Sequence, residues 1–514
     1  MRGGRIVAAG PAAQAMATAG EGAWKVDLAG RALLPGFVDG HGHLAKLAAN
    51  MRSANLAPPP VGNVTSIAGL QAALRDHIAS RGIAAGGWVR GHGYDPAFLV
   101  EARHPTRDDL DQVSRDHPIY ISHVSGHLAA ANSLAMQLAG VTAATPDPTG
   151  GVIRRRPGSG EPDGVFEENA MGLFADALPR PSLGEQLDDL DEAQQVYASY
   201  GITMAQEGAM FPAEQQVLLR AAEESRLTID VAGYAFWAMA GEMLGDNARQ
   251  SRGRFRNAGV KLMLDGSPQG KTAWLTDPYH VPPNGRAPDY RGYPTMPDAR
   301  VAGVVEMAFE QGWQVIAHCN GDAACEQLIE AVESGRRASP GSDRRTVMIH
   351  AQTVREDQLE RMAGLDMTPS FFASHVYYWG DYHRDSVLGP ARAARISPMR
   401  SAHRAGLRFN LHNDAPVVPP DILRLVWCAA ARRTRSGKVL GEDQAISVED
   451  ALRAVTIDAA WAHFEEGRRG SIEVGKLADL VVLSADPTAV PLEGIPEIRI
   501  VATLKEGALV HGAV

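Results

Sequence analysis

The sequence predicts an α/β fold: a (β/α)8 TIM-like barrel with a composite β-sandwich formed by both termini and an inserted α/β subdomain. Eight short apolar runs alternate with helical patterns, and most of the runs end in a polar residue, as buried parallel strands do. Short β-like runs separated by glycine at both ends of the chain predict the sandwich. The eight runs are FVDGHGH, GITMAQEG, TIDVAGYAFW, GVKLMLDGS, WQVIAHCNGD, RTVMIHAQ, MTPSFFASH and LRFNLHNDAP.

The domain boundaries follow from these runs. We expect residues 1–34 to form the N-terminal part of the sandwich, residues 35–460 the barrel, and residues 461–514 the C-terminal part of the sandwich. The stretch between the first two strands, about residues 44–180, is too long for a loop within a compact domain. It therefore predicts an insertion with its own strands and helices, placed where substrate choice is commonly set.

The composition excludes several classes of protein. Of the 514 residues, 45% are hydrophobic and 21% are charged, which is typical of a globular protein with a large core. The net charge of -10, without a basic stripe, argues against a nucleic-acid partner. Only three cysteines occur, and no long apolar run or signal-peptide pattern is present. We expect a cytoplasmic protein that has no disulfide framework and does not bind a membrane.

His41 and His43 are the first candidate metal ligands. Residues two apart in an extended strand point to the same face, so both imidazoles can reach one cation. Gly42 between them leaves room for a close approach. The alternative interpretation is a pair of loop histidines, which the position after PGFVDG and the further candidates downstream disfavour.

Lys261 is the second unusual residue, because it lies within the apolar run VKLMLDG. Met263 and Asp265 follow at even spacing and share its face. A buried ammonium must pair with a carboxylate, lose its proton or react. Carboxylation by CO2 would produce a carbamate that bridges two cations, whereas a salt bridge to Asp265 is an equally good structural alternative. Glu168 is a second candidate for a bridging carboxylate.

His318, His350 and Asp414 each follow an apolar run, in IAHCNGD, MIHAQ and HNDAPV. A single histidine in that position is more often a hydrogen-bonded core residue, but two on consecutive strands behind an HxH motif favour metal ligands. Asp414 would bind a metal and accept a proton from the attacking water; its alternative role is to begin a turn before Pro416.

Weaker candidates for substrate contact are His127, Asp265, His375, Trp379 and His412. A structural role is an equally good interpretation for His127, His375 and Trp379, and His412 is also a candidate for orienting a ligand. The run Arg154–Arg156 offers positive charge for an acidic group, although a solvated loop is the commoner explanation.

At these residues the chain resembles the metal-dependent amidohydrolase superfamily, and within it the branch of YtcJ-like proteins and N-substituted formamide deformylase (amidohydrolase family 3). Two segments depart from the pattern: Ser125 stands where many relatives have Asp, and His412-Asn413 stand where others have Gly-Ser. The N-terminus also begins late, so we expect one or two strands of the sandwich to be missing. The motifs that carry the resemblance are LLPGFVDGHGH, ISHVSGHLAAANS, VKLMLDGSPQGKTAWLTDPY, IAHCNGDAA, IHAQ, HNDAPV, ISVEDALRAVTIDAAW and GSIEVGKLADLVVLSADP.

The resemblance implies a (β/α)8 barrel, a composite β-sandwich and one or two divalent cations, usually zinc. His41 and His43 would bind the more buried cation together with Asp414. His318 and His350 would bind the second, and Lys261 stands where related enzymes carry a carboxylated lysine. The resemblance leaves the oligomeric state open between a monomer and a homodimer.

These inferences predict a hydrolase that cleaves a non-peptide C–N bond in a small amide-like or formamide-like molecule. The cation would polarise the carbonyl and supply hydroxide, while Asp414 moves the proton to the leaving nitrogen. Deamination, lactone hydrolysis and carbamate cleavage use the same ligands and stay open as alternatives. A more distant alternative is a metal-binding regulatory protein without catalytic activity.

Overall fold

The largest unit of the computed structural model is a curled sheet of eight parallel strands that follow one another in chain order. The structure describes residues 1–20, 22–245, 251–283, 285–341 and 343–513. Each of the eight predicted runs contains one strand, which confirms the α/β class. The strands are Phe37–Val38, Ile202–Met210, Asp230–Phe236, Phe255–Met263, Gln314–Cys319, Val347–His350, Thr368–Phe371 and Asn410–Leu411, and a short strand, Ser251–Arg252, pairs antiparallel with the fourth.

The first and last strands of this sheet approach each other at their carboxyl ends. The backbone N–H of His43 donates to the carbonyl of Ala415 at 2.8 Å, and that of Asp414 donates to the carbonyl of His41 at 3.2 Å. Gly40 makes this approach sterically possible, because a Cβ there would lie 2.5 Å from the Leu411 carbonyl oxygen. The two ends of the sheet are therefore held side by side, and the polar residues that follow them become neighbours.

Amphipathic helices cover the outer face of the curled sheet and bury its apolar side chains. Strands Gln314–Cys319 and Val347–His350 are buried along their whole length, as the continuous apolar runs predict. The predicted helix beginning at Asp322 is present as Asp322–Ala338, and its buried positions recur with helical spacing. The helices of this unit are Leu44–Asn50, Leu183–Ser199, Pro212–Glu223, Ala240–Leu244, Asp298–Glu310, Asp322–Ala338, Glu356–Gly364, His375–Tyr382, Pro390–Ala393, Met399–Arg404, Ile422–Ala431, Val448–Ala454 and Ile457–Ala462.

A second, six-stranded sheet lies between the first and second parallel strands in the sequence, where we expect the insertion. Its strands in spatial order are Ala54–Asn55, Val89–Tyr94, Ile119–His123, Leu128–Ala131, Pro162–Glu168 and Gly151–Arg155. Helices Ile67–Arg81, Arg107–Asp111 and Ser133–Leu138 accompany it. The insertion has a small core of its own, which includes Leu56, Leu70 and Ile121.

The two ends of the chain meet in a third sheet, which is antiparallel and has four strands. Its strands in spatial order are Ala32–Pro35, Leu480–Leu483, Ile500–Lys505 and Ala508–Gly512. The N-terminal segment also contains helix Ala12–Thr18. A two-layered sandwich and the boundaries at residues 34 and 460 stay predictions. Within the described ranges, no helix is both long enough and apolar enough to cross a bilayer.

Candidate metal centre and cavity

His41, His43 and Asp414 converge where the first and last parallel strands end. Asp414 Oδ1 lies 3.6 Å from His41 Nε2 and 3.2 Å from His43 Nε2. One donor atom from each residue lies within 4.8 Å of the other two, a spacing that suits a single cation. A side chain at Gly42 would come 2.5 Å from Asp39 Oδ2, so glycine keeps this turn compact. The structure brings these three predicted residues together.

Two neighbours from the second strand, Gln206 and Glu207, orient these histidines. Gln206 Nε2 donates to the carbonyl of Gly40 at 3.2 Å, so its Oε1 accepts a hydrogen bond from His41 Nδ1–H at 2.5 Å. His41 Nε2 is then unprotonated and faces the centre. Glu207 Oε1 lies 3.7 Å from His43 Nδ1, and its Oε2 accepts from the backbone N–H of Ala45 at 2.6 Å. The apolar pattern singles out neither residue, although AQEG lies at the end of a predicted strand.

A chain of three imidazoles forms the opposite side of the centre. His318 Nδ1 lies 3.0 Å from His350 Nε2, and His350 Nδ1 lies 3.1 Å from His412 Nε2. Ser370 Oγ donates to Asn410 Oδ1 and therefore accepts from His412 Nδ1–H, at 2.8 Å. His412 Nε2 then accepts from His350 Nδ1–H, which leaves His350 Nε2 unprotonated. This places His412 in a role that orients His350.

His318 is the outer member of this chain of imidazoles. Its Nε2 lies 3.1 Å from the carbonyl oxygen of Gly266 and 3.0 Å from the Asn320 Nδ2 amide, so the surroundings fit a proton on either ring nitrogen. With the proton on Nδ1, His318 donates to His350 Nε2 at 3.0 Å. With the proton on Nε2, His318 Nδ1 and His350 Nε2 are two adjacent acceptors that a cation would bind together. The donor set fits a metal at this second position in the latter tautomer.

Lys261 lies between the two groups of ligands and is fully buried. Its Nζ is 3.0 Å from His41 Nε2, and no carboxylate of the described residues lies within ion-pair distance of it. The alternative salt bridge to Asp265 is absent, because Asp265 accepts backbone N–H groups from Asn320, Gly321 and Trp274. Asp265 does not line the cavity, so the geometry gives no support to its predicted contact with substrate.

The protonation states of this centre suit metal binding. Burial lowers the pKa values of His41, His318 and His350 well below the usual range, and neighbouring positive groups act in the same direction. Burial alone would raise the pKa of Asp414, but the surrounding histidines hold it well below its usual value. Burial lowers the pKa of Lys261 to about 8. Burial also acts to lower the pKa of His43, but Asp414 and Glu207 outweigh it and raise that pKa above its usual value. Near neutral pH the site therefore offers neutral imidazoles at His41, His318 and His350 and a carboxylate at Asp414, the forms that bind cations.

The candidate centre opens into a cavity of about 710 Å3, a volume typical of small-molecule sites. His43, Lys261, His318 and Asp414 line its floor. His127 from the insertion lies on its wall, with its ring centroid 4.7 Å from that of His318. Glu168 Oε2 lies 2.7 Å from His127 Nδ1 and fixes that ring. His127 is therefore the predicted substrate contact that the cavity supports.

His375 and Trp379 lie outside the lining of this cavity. The His375 ring packs against Phe372 at 4.3 Å between centroids and stacks on His383 at 5.5 Å. Trp379 Nε1 donates to Asp95 Oδ2 at 2.6 Å, a bond that joins the main unit to the insertion. Both residues are buried and paired within the protein, so their predicted contact with substrate has no support in this geometry.

The family model for the amidohydrolase family matches residues 25–511. The chain belongs to the amidohydrolase family. This match confirms the resemblance drawn from the motifs and the predicted class of enzyme.

Two relatives extend this comparison over nearly the whole chain. N-substituted formamide deformylase of Arthrobacter pascens is 28% identical over 99% of this chain and 93% of its own length. The putative amidohydrolase YtcJ of Bacillus subtilis is 26% identical over 95% of this chain and 90% of its own. An uncharacterized metal-dependent hydrolase from Pyrococcus horikoshii has a similar fold, with a TM-score of 0.75 and 24% identity, over 99% of this chain and 95% of that one.

Proposed function

We propose that the protein hydrolyses a non-peptide C–N bond in a small amide, such as a formamide-like compound, at a centre that holds one or two divalent cations. The observation that carries this proposal is the convergence of His41, His43 and Asp414 beside the adjacent imidazoles of His318 and His350. The similarity to N-substituted formamide deformylase supports the choice of bond.

Zinc is the cation that this donor set suits best, because imidazole nitrogens and a carboxylate oxygen are its usual ligands outside cysteine sites. His41, His43 and Asp414 would hold the first ion, and His318 with His350 would hold the second. A bound cation would polarise the amide carbonyl and lower the pKa of the attacking water.

Asp414 would take the proton from the attacking water and return it to the leaving nitrogen. Its carboxylate lines the cavity and its pKa is low, so it is ionised at the start of the reaction. His127, held by Glu168 on the opposite wall, is placed to contact the substrate. Lys261 and the aligned imidazoles keep the ligands in position. The insertion therefore contributes directly to the wall of the proposed active site.

We further propose that Lys261, once its ammonium has lost one proton, reacts as the neutral amine with CO2 to form a carbamate and release a second proton. The carbamate would bridge the two cation positions. Three observations support this carbamate. The Lys261 ammonium has no carboxylate partner among the described residues, and its Nζ lies 3.0 Å from His41 Nε2. Its charge also helps to lower the pKa of His318. Metal-stripped protein should regain its full metal content only when bicarbonate is supplied with zinc. Equal recovery without bicarbonate would contradict the carbamate.

The test of the function is a substrate screen on protein whose metal content has been measured. Formamides, other amides, lactones and carbamates are offered to the zinc-loaded enzyme, and product formation is followed by liquid chromatography. We expect turnover of the formamides or other amides, and its loss in a His41→Gln/His43→Gln double variant that has lost metal. The exposed-site variant His403→Gln is the matched control. Turnover of lactones or carbamates alone would overturn the assignment to C–N bonds of amides.

A further inference from the structure

We propose that the substrate carries a carboxylate, which Lys46 and Arg90 bind on the wall of the cavity. The inference rests on the proposed function and specifies the class of amide. Lys46 comes from helix Leu44–Asn50, which follows the His41–His43 motif, and Arg90 comes from strand Val89–Tyr94 of the insertion. Both side chains line the cavity.

Neither cation forms a hydrogen bond or a close ion pair through its side chain in the part of the chain that the structure describes. Burial lowers the pKa of both groups, and the charges of Asp414 and Glu207 oppose this effect on Lys46 from a greater distance. The arginines that the sequence singled out differ in this respect. Arg154 lies 2.5 Å from Glu167, and Arg156 lies 2.8 Å from Asp108, so their charges are already paired. Besides Lys261 at the candidate metal centre, Lys46 and Arg90 are thus the cationic side chains that line this cavity without a close acidic partner among the described residues.

The sheet register of the insertion fixes the direction of Arg90. Arg90 is the direct partner of Tyr120 in the neighbouring parallel strand, and both line the cavity. The alternate position, Gly91, packs on the other face, because a Cβ there would lie 2.5 Å from Leu56 and 3.0 Å from Ile121. The buried core of the insertion therefore holds Arg90 and the Tyr120 hydroxyl on the face that lines the cavity.

Lys46 also contacts the insertion. Its Nζ lies against the backbone of Gly126, where an added Cβ would be 2.2 Å away, and Gly126 has a φ of +75°. His92 lies two residues after Arg90 in the same strand and therefore on the same face. Burial lowers the pKa of His92 to about 4, and the charges of Lys46 and Arg90 act in the same direction. His92 Nδ1 is buried and has no hydrogen-bond partner among the described residues.

Four carboxylates line the cavity, and each has another partner or neighbour. Glu207 accepts from the backbone N–H of Ala45 and faces His43, and Glu214 accepts from the backbone N–H of Phe211. Glu168 is bound to His127, and Asp414 faces the candidate metal ligands. A carboxylate from a ligand would meet the guanidinium fork of Arg90 and the point charge of Lys46. It would also remove the cost of keeping two unpaired cations in a partly desolvated cleft.

The remaining wall of the cavity is apolar and defines the rest of the substrate. It is lined by Phe211, Phe236, Trp237, Met171, Leu178 and Met296. A cavity with two cationic side chains, an apolar wall and a centre for amide hydrolysis fits an N-formyl or N-acyl amino acid with an apolar side chain. This is the class of substrate that the geometry supports.

The first experiment compares N-formylphenylalanine with its methyl ester and with neutral N-benzylformamide on the zinc-loaded enzyme. We expect kcat/KM for the acid to exceed that of the ester by about tenfold or more, mainly through KM. Lys46→Met and Arg90→Met should each bring the acid-to-ester ratio toward one. Lys438→Met and Arg404→Met, which remove exposed cations outside the cavity, are the matched controls. An acid-to-ester ratio near one in the unaltered enzyme would overturn the inference, even if N-benzylformamide is hydrolysed.

A binding measurement separates this inference from the proposed function. Titration calorimetry follows N-acetylphenylalanine and its methyl ester binding to the zinc-loaded Asp414→Asn protein, which is expected to be inactive. Preferential binding of the acid, weakened by Lys46→Met and by added salt, would support the inference even if no amide is ever hydrolysed. Equal affinities for the acid and the ester would overturn the inference. An unchanged affinity for the acid in both Lys46→Met and Arg90→Met would also overturn it.

Discussion

His318 Nδ1 and His350 Nε2 lie 3.0 Å apart, and His350 Nδ1 donates to His412 Nε2, which leaves His350 Nε2 as an acceptor. His350 has a φ of +73°, a backbone conformation that residues other than glycine rarely adopt. Strained residues of this kind are concentrated at functional sites. The pair defines the proposed second cation position. Asp414, a ligand of the proposed first position, lies beside it, with Oδ2 3.9 Å from His350 Nε2.

Asp414→Asn should lower kcat by roughly a hundred- to ten-thousandfold, the usual contribution of a general acid–base group. Asparagine has almost the same shape, so the fold should be retained, but it cannot accept the proton of the attacking water. The measurement is steady-state kinetics, with circular dichroism and metal analysis on the same sample. The exposed-site variant Asp116→Asn should keep the original rate, and an undiminished kcat in Asp414→Asn would remove Asp414 from the mechanism.

Gln206→Leu should weaken zinc binding by about 10- to 100-fold, a range typical of losing a group that orients a ligand. The leucine cannot accept from His41 Nδ1–H, so the proton is free to move to Nε2, the atom that faces the centre. Zinc affinity is measured by competition with a chromophoric chelator. Gln206→Glu keeps an acceptor and should restore most of the affinity, whereas Gln216→Leu, at an exposed position, should change nothing. If all three variants bound zinc as tightly as the unaltered protein, Gln206 would have no role in orienting His41.

Lys261→Met should stabilise the metal-stripped protein at pH 7 by roughly 2–4 kcal/mol, because the pKa of this buried lysine falls from 10.5 to about 8. Below about pH 8 the ammonium is present in both the folded and the unfolded state, and the folded state bears the full penalty. Between about pH 8 and 10.5 the folded state loses its proton first, and the penalty disappears. The advantage of the variant should therefore shrink as pH rises through this window.

Urea unfolding at pH 7, 9 and 10.5 checks this prediction for Lys261. Lys438→Met, at an exposed position, is the control and should leave the free energy of unfolding unchanged throughout. A stability gain in Lys261→Met that is equally large at the highest pH would mean that packing, and not charge, causes it.

Trp379→Phe should cost about 1–3 kcal/mol of stability at pH 7, the usual penalty for a buried polar group that loses its partner. Asp95 is buried, its pKa is raised to about 6 by burial, and the Trp379 indole N–H opposes that rise. Thermal unfolding and hydrogen exchange in the insertion provide the measurement. Trp24→Phe alters a tryptophan that is 83% exposed and should have no effect. Unchanged exchange in Trp379→Phe would show that this bond does not fasten the insertion.

The positions of the candidate ligands could be predicted because they depend on periodicity. A strand buried on both faces is a continuous apolar run, and the carboxyl ends of parallel strands meet at one edge of a sheet. His318 and His350 each stand at the end of such a run. They follow neighbouring strands of the sheet, so the sequence order alone places them side by side.

The directions of individual side chains could not be predicted in the same way. Asp265 follows its strand as expected but accepts from three backbone N–H groups, one at Trp274 in its own loop and two at Asn320 and Gly321 after the next strand. The Trp379 indole donates to Asp95, a residue 284 positions away in the sequence. The indole therefore lies outside the cavity, and no local sequence pattern identifies its partner. Arg90 could not be predicted as a binding residue, because what distinguishes it is the lack of a close acidic partner among the described residues. That property depends on how the insertion packs.

The proposed metal centre takes its ligands from the first and the last strand of the curled sheet, and this has a consequence for biosynthesis. At 5–20 residues per second, roughly 20–75 s of translation separate the synthesis of His41 from that of Asp414. During that interval the two N-terminal imidazoles lack the carboxylate with which they converge in the finished protein. Selective uptake of the ion must then wait until nearly all of the polypeptide has left the ribosome, which makes metal acquisition one of the last steps of maturation.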